Sequence, residues 1–290
     1  ISGPEYIGEQ RVVGLGWQPD VPDRRDRTLA HRDVAAVLQA KNSTLCNLSA
    51  FQPPPAVDNR RYCALVEDQG RLGSCTANAV VGMMEYMMVR SGKESYVDLS
   101  RLFLYKVTRT LLGWTGDTGA YLRSTIQAVA VFGVAPEKYF PYDIGKYEEE
   151  PSAFLYSYAS NFQALNYARL DIKGQRGIQT LESVKQVLAA GYVVVFGFSV
   201  YSSISDAPDI PYPGDMDSLA GGHAVLAVGY DDNHTVGGTT VPSLLIRNSW
   251  GTNWGESGYG YLPYRYIEDE LALDFWTIFK EEWIDPDVFR

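Results

Sequence analysis

The run Gln69-Gly70-Arg71-Leu72-Gly73-Ser74-Cys75 leads straight into Thr76-Ala77-Asn78-Ala79-Val80-Val81-Gly82-Met83-Met84. The second stretch is almost wholly apolar, with no proline and one glycine, and reads as a buried helix. Cys75 then stands at a helix start, among backbone N–H groups without intrahelical acceptors and at the positive end of the helix dipole. Both favour thiolate over thiol, and the thiolate is the nucleophilic form. Taken alone, Cys75 is either a nucleophile or a buried structural cysteine, a common fate of unpaired cysteines.

A nucleophile of this kind needs a base, and the chain holds three histidines. His31, in Leu29-Ala30-His31-Arg32-Asp33-Val34, reads as a solvated side chain on a short charged helix. His234, in Asp231-Asp232-Asn233-His234-Thr235, reads as an exposed turn residue. His223 differs: in Gly221-Gly222-His223-Ala224-Val225-Leu226-Ala227-Val228-Gly229-Tyr230, two glycines admit close backbone approach where a core strand begins. The third element is Arg247-Asn248-Ser249-Trp250-Gly251-Thr252-Asn253-Trp254-Gly255, after a strand read from Ser243-Leu244-Leu245-Ile246. The Asn248 amide oxygen is suited to accept the imidazole N–H and turn the ring toward Cys75. Trp250, two residues on, is placed to keep water off that bond.

These three segments, in this order, resemble the papain family of cysteine peptidases, whose cysteine signature is followed far downstream by His and Asn. The resemblance runs from Pro55 to Tyr264 and takes in Val57-Asp58-Asn59-Arg60, Leu99-Ser100, Tyr139-Phe140-Pro141-Tyr142 and Gly255-Glu256-Ser257-Gly258-Tyr259. The stretch Gly14 to Asp26 is similar to that of prokaryotic members. The resemblance implies an α+β, papain-like two-lobe fold, a helical lobe beside an antiparallel β-barrel-like lobe with the active cleft between them. Residues 1–53 are expected as a leader packed on the enzyme body, 54–160 as a mainly helical lobe, 161–278 as a mainly β lobe and 279–290 as a tail.

The implied activity is that of a cysteine endopeptidase working through a Cys75 thioester, with Cys75, His223 and Asn248 catalytic. Gln69 and the Cys75 N–H would form the oxyanion hole, and Trp250 would shield the His–Asn bond. Gly119 and Ala120 fall where the family holds substrate backbone. Gly221 and Ala224 would line the main specificity pocket with Phe196 or Phe198, although plain core packing accounts for the two phenylalanines equally well. The implied partner is a peptide or protein substrate met by a monomer. No cofactor or metal is expected, since no His-x-x-x-His or paired Cys-x-x-Cys occurs.

Departures from the family pattern are local. Leu72 stands where many members carry a disulfide cysteine, Thr76 where Trp or Tyr usually follows the nucleophile, and Gly222 where plant members often have Asp or Asn. The gap from His223 to Asn248 is longer than usual, which predicts a hairpin around Thr235-Val236-Gly237-Gly238-Thr239.

Composition sets the outer bounds. The chain has 290 residues, 46% hydrophobic and 21% charged, enough for two lobes around a large core. Its net charge of −10 argues against general affinity for nucleic acid or anionic membrane. No apolar run is long enough for a transmembrane helix. The first residue is Ile rather than Met, which fits a signal peptide either removed or left out of the sequence; the location stays open, with a secreted or periplasmic one favoured. Cys46 and Cys63 admit either a disulfide or two free thiols.

Expected elements are helices over Thr28–Lys41, Cys75–Val89, Leu122–Phe132 and Leu181–Ala190, and strands over Tyr192–Phe198, Ala224–Tyr230 and Leu244–Arg247. The leader, rich in Gly, Pro, Arg and Asp and closed by Pro53-Pro54-Pro55, is too short to fold alone. Its apolar anchors are Trp17, Val21, Leu29 and Val34. It is expected either to lie over or beside the cleft and restrict substrate access, or to act as a structural strap.

Overall fold

Helix α2 (Cys75–Arg90) is buried nearly all round, Thr76, Asn78 and Glu85 included. A helix without a polar face must be covered on every side. Here α3 (Arg101–Leu112) and α4 (Leu122–Phe132) cover one side and a β-sheet covers the other. The computed structural model describes residues 4–7, 11–41, 43–47, 50–92 and 96–283. The remaining helices are α1 (Arg32–Ala40), α5 (Ala153–Ala159), α6 (Gly177–Ala189) and α7 (Arg265–Glu268).

Strands β1 (Pro4–Ile7) and β2 (Arg11–Gly14) pair with each other in the leader. The main sheet comprises β3 (Ala56–Asp58), β4 (Phe162–Arg169), β5 (Val194–Tyr201), β6 (Leu219–Asp231), β9 (Ser243–Arg247), β10 (Tyr259–Pro263) and β11 (Ala272–Trp283). Its order is β10-β9-β6-β5-β11-β4, with β3 paired to β6, and every pairing is antiparallel. The edges β10 and β4 do not meet, so the sheet is open and not a closed barrel.

Side-chain alternation divides the core between the sheet's two faces. Val195, Ala224, Leu226 and Val228 pack with α2, α3 and α4. Val194, Phe196, Phe198, Val225 and Ala227 pack with α1, α6 and α7 on the other face. The predicted hairpin forms between β7 (Thr235–Val236) and β8 (Thr239–Thr240), where Gly237 and Gly238 supply the two positive φ angles of a tight turn.

Several expectations change. Helix α1 starts at Arg32, and His31 is its N-cap, with Nδ1 accepting the Asp33 N–H at 3.3 Å. His234 is not exposed: its Nε2 meets Asp209 Oδ1 at 2.6 Å and its ring stacks on Tyr261 at 3.8 Å. Helix α6 begins a turn earlier than Leu181, where the Gln179 side chain accepts the Arg176 N–H. Strand β6 begins at Leu219, which puts His223 in mid-strand, opposite Phe198. Strand β11 runs to Trp283, into the stretch expected as a tail, and 284–290 lie outside the described residues. Cys46, Cys63 and Cys75 are all free thiols, so the disulfide alternative is not adopted. Among the described residues no helix is long and apolar enough to cross a membrane.

Candidate active site

The loop ahead of α2 is tied from several directions. Gly70 takes a positive φ of 58°, and the Gln69 N–H donates to Ser249 O at 2.9 Å. Tyr142 spans the loop, its hydroxyl donating to Gln69 O at 3.0 Å and lying 2.6 Å from Ser74 Oγ. The Gly73 N–H donates to the Asp117 carboxylate at 3.0 Å, and Tyr105 OH donates to the same group at 2.5 Å. Leu72, which cannot form a disulfide, is fully enclosed. Cys75 is therefore held at the first residue of α2, completely buried. The backbones of Ala224, Gly16 and Thr76 lie against its sulfur and favour its charged form, an effect smaller than that of its burial.

Strand β6 brings His223 to the same place, since Ala224 follows it directly. The imidazole is fully buried; Nε2 lies 2.8 Å from Asn248 Oδ1, and Nδ1 has no hydrogen-bond partner. Asn248 follows β9, and its Oδ1 also accepts the Ser249 N–H at 2.8 Å. Trp250 stacks on the imidazole with centroids 4.5 Å apart and planes 22° apart, and is itself 1% exposed. Burial pushes the Cys75 thiol up to about 11 and the His223 imidazole down to about 4. The helix dipole does not prevail in this state: exclusion of water keeps both groups neutral.

The leader is what excludes the water. Residues 14–18 run through the cleft as an extended strip. The Gly14 N–H donates to Gly70 O at 2.9 Å, and the Trp17 N–H to Gly222 O at 3.1 Å. Ala120 receives the strip in parallel register, its N–H donating to Gly16 O at 2.8 Å and its carbonyl accepting the Gln18 N–H at 3.1 Å. The Gln69 side chain holds Gly14 O at 2.9 Å and Leu72 O at 2.8 Å through Nε2. A Cβ on Gly119 would collide with the main chain of Gly16, and one on Gly16 with the main chain of Gly73. Beyond the strip, Arg123 pairs with Asp20 and Asp26, and Arg169 lies 3.5 Å from Asp26.

Of the residues expected to meet substrate, Gly119 and Ala120 line this strip. Gly221 lies under Leu15, on the His223 face of β6, while Ala224 faces the opposite side with α2, so one pocket does not take both. Phe198 is fully enclosed and packs edge-on against the imidazole at 5.9 Å, behind the cleft. Phe196 stacks on Phe275 and is likewise core. Sequence reasoning missed Asp117, Tyr142, Ser249 and Asp274. Only Asp274 carried a signal, as the one charge in Leu271-Ala272-Leu273-Asp274-Phe275-Trp276.

Comparison with known proteins bears on family and fold. The family profile for papain family cysteine proteases matches residues 53–269. An uncharacterised peptidase C1-like protein of Acanthamoeba polyphaga mimivirus is 33% identical over 94% of this chain and 88% of its own length. Papain of Carica papaya is 29% identical over 71% of this chain and 54% of its own length. The crystal structure of xylellain, a cysteine protease from Xylella fastidiosa, superposes with a TM-score of 0.74 at 33% identity, covering 97% of this chain and all of that one.

Proposed function

Because the chain belongs to the papain family of cysteine proteases, we propose that it hydrolyses internal peptide bonds through a Cys75 thioester, and that its leader covers the site between encounters with substrate. One observation carries the reading. Cys75, the first residue of a buried helix, lies against the backbone of Ala224, the neighbour of a histidine whose Nε2 is held by Asn248 and whose Nδ1 is left without a partner.

With the leader displaced, solvent and substrate dipoles relieve the burial that keeps this pair neutral. The Cys75 proton then passes to His223 Nδ1, and the thiolate attacks the scissile carbonyl. Gln69 Nε2, freed from Gly14 O, and the Cys75 N–H receive the oxyanion. The imidazolium returns its proton to the leaving amine, and a water activated by His223 cleaves the thioester. Asn248 orients the ring and Trp250 screens their hydrogen bond. Gly119 and Ala120 supply the backbone rail, which the leader uses in this state. The substrate is a peptide or protein chain. One copy carries every proposed catalytic group, which supports a monomer.

The test uses the full chain carrying Trp17→Ala, which loosens the leader, with an internally quenched peptide library. Cleavage is expected, together with an acyl-enzyme adduct in the mass spectrum. Cys75→Ala should remove both, and cleavage that survives Cys75→Ala would refute the assignment.

A further inference from the structure

Two segments must keep a fixed spacing for the proposed reaction: the loop that carries Cys75 and the rail of Gly119 and Ala120. In the covered state the leader itself spans them, with Gly14 bonded to Gly70 on one side and Gly16 and Gln18 bonded to Ala120 on the other. When the leader leaves, that bridge goes with it. No disulfide ties the two segments, since all three cysteines are free thiols.

A side-chain clasp joins the same two segments by a separate route. The Asp117 carboxylate accepts the Gly73 N–H through Oδ1 at 3.0 Å and Oδ2 at 3.2 Å. Its Oδ1 also accepts the Tyr105 hydroxyl at 2.5 Å, and that hydroxyl in turn accepts the Gly119 N–H at 3.0 Å. An unbroken path of hydrogen bonds thus runs from Gly73, just before Ser74 and Cys75, to the first residue of the rail. Glycine at 73 leaves room for it, because a Cβ there would stand 2.9 Å from Asp117 Oδ1. Tyr105 is fully enclosed on α3, with the Arg109 guanidinium 4.3 Å over its ring. Arg109, also fully enclosed, donates to Gly116 O and to Glu148 Oε1, so the segment carrying Asp117 is fixed to the same helix.

We propose that Asp117 and Tyr105 are positioning residues of this peptidase, which together set the distance between the Cys75 loop and the substrate rail once the leader is displaced. The inference rests on the peptidase reading and adds two residues to it. The sign of the charge argues that Asp117 is there for geometry. Burial is the largest influence raising the Cys75 thiol, and the Asp117 charge adds to it. A group placed to activate the thiolate would carry the opposite sign. What a carboxylate supplies is acceptor capacity for two donors on different segments. Both side chains act through the backbone they hold. A substrate chain seated on a displaced rail still binds, but its scissile carbonyl is no longer aligned with the thiolate. A misplacement of about 1 Å is enough to cost up to about a hundredfold in rate.

The experiment uses the full chain with Trp17→Ala as parent and adds Tyr105→Phe, which removes only the hydroxyl of the clasp. Two reactions are followed: hydrolysis of an internally quenched peptide long enough to lie on the rail, and alkylation of Cys75 by iodoacetamide, which makes no use of the rail. Tyr105→Phe should lower kcat on the peptide about tenfold, with KM and the alkylation rate each within about twofold of the parent. Asp117→Ala cuts the same path at its centre and serves equally if Tyr105→Phe does not fold. It should lower kcat at least as far while alkylation is no slower, since a negative charge near the thiol is gone. The variant with both substitutions should fall no lower than Asp117→Ala alone. An unchanged kcat overturns the proposal, and so do losses that multiply in the double variant. A parallel fall in alkylation overturns it too, because the bonds would then only hold Cys75 in place. A parent that alkylates but cleaves no peptide sinks the peptidase reading and the clasp with it. A parent that cleaves, beside a Tyr105→Phe variant that cleaves as fast, sinks the clasp alone.

Discussion

Gln69 uses its whole amide: Nε2 serves Gly14 O and Leu72 O, and Oε1 accepts the Ser249 hydroxyl at 2.5 Å. Gln69→Ala therefore should act in two opposed ways, freeing the leader and removing an oxyanion donor. In the Trp17→Ala background only the second remains, and kcat should fall about a hundredfold with little change in KM; an unchanged kcat would move the oxyanion hole elsewhere. His223 gives a pH prediction. Burial lowers its folded pKa from 6.5 to about 4, so the unfolded chain takes up this proton first as pH falls. Stability from a neutral His223 is thus complete above about pH 6.5 and is lost as pH falls toward 4, by up to roughly 3 kcal/mol. Glu85 and Asp274, pushed up to about 8 and 7 by burial, act in the opposite direction, so the wild-type curve alone does not isolate the effect. The difference in unfolding free energy between wild type and His223→Gln should narrow across that window; a constant difference would show that His223 is not the group titrating.

At the scale of elements, the strip through residues 14–18 depends on two glycines. A Cβ on Gly16 would strike the Gly73 carbonyl, and one on Gly14 the Leu72 carbonyl, both main-chain atoms of the loop before Cys75. Gly16→Ala should consequently unseat the leader, raising hydrolysis by the full chain and the alkylation rate of Cys75, while the core elements keep their protection in hydrogen exchange. An alkylation rate equal to wild type would show that the strip yields without leaving. This path was not legible in sequence. Trp17 signalled an anchor, but the partners of Gly14, Gly16 and Trp17 lie far along the chain, at Gly70, Ala120, Gly222 and Asp274, and local periodicity carries no information about such pairs. Helix α2 and strands β5, β6 and β9 were legible because their apolar runs must be buried wherever they fall. Strands β4 and β11 were not, since Arg169 and Asp274 interrupt their apolar pattern and become acceptable only by pairing with each other. Cys75, His223 and Asn248 stood out because each sat in a run that packing alone explained poorly. The substrate-facing residues did not, because Gly221 and Ala224 stand an odd number of residues apart on β6 and the pleat sends them to opposite faces.

Over the whole molecule the negative charge is uneven in its consequences, because two arginines of the body, the half-buried Arg123 and the buried Arg169, hold two aspartates of the leader. Arg123 bonds Asp26 through Nε at 2.8 Å and also reaches Asp20, and Asp26 is almost wholly enclosed. Breaking such a pair leaves a buried carboxylate with poorer compensation, a loss of about 3 kcal/mol or more. Arg169 Nη1, at 3.5 Å from Asp26, softens that loss but cannot replace a bidentate partner. The Gly14–Gln18 backbone bonds do not involve Arg123, and Trp17 meets the latch only through Asp274, which shares Arg169 Nη1 with Asp26, so Arg123→Ala should loosen the covered state without abolishing it. Hydrolysis by the full chain is expected to rise roughly ten- to a hundredfold, the range set by every 1.4 kcal/mol being a factor of ten. Because Trp17→Ala also releases the leader, the double variant should gain little over Trp17→Ala alone. If the latch were only structural, Arg123→Ala would lower the melting temperature with no gain in hydrolysis, and the two substitutions would combine additively on stability. Steady-state rates and melting curves of the two single variants and the double variant separate these outcomes.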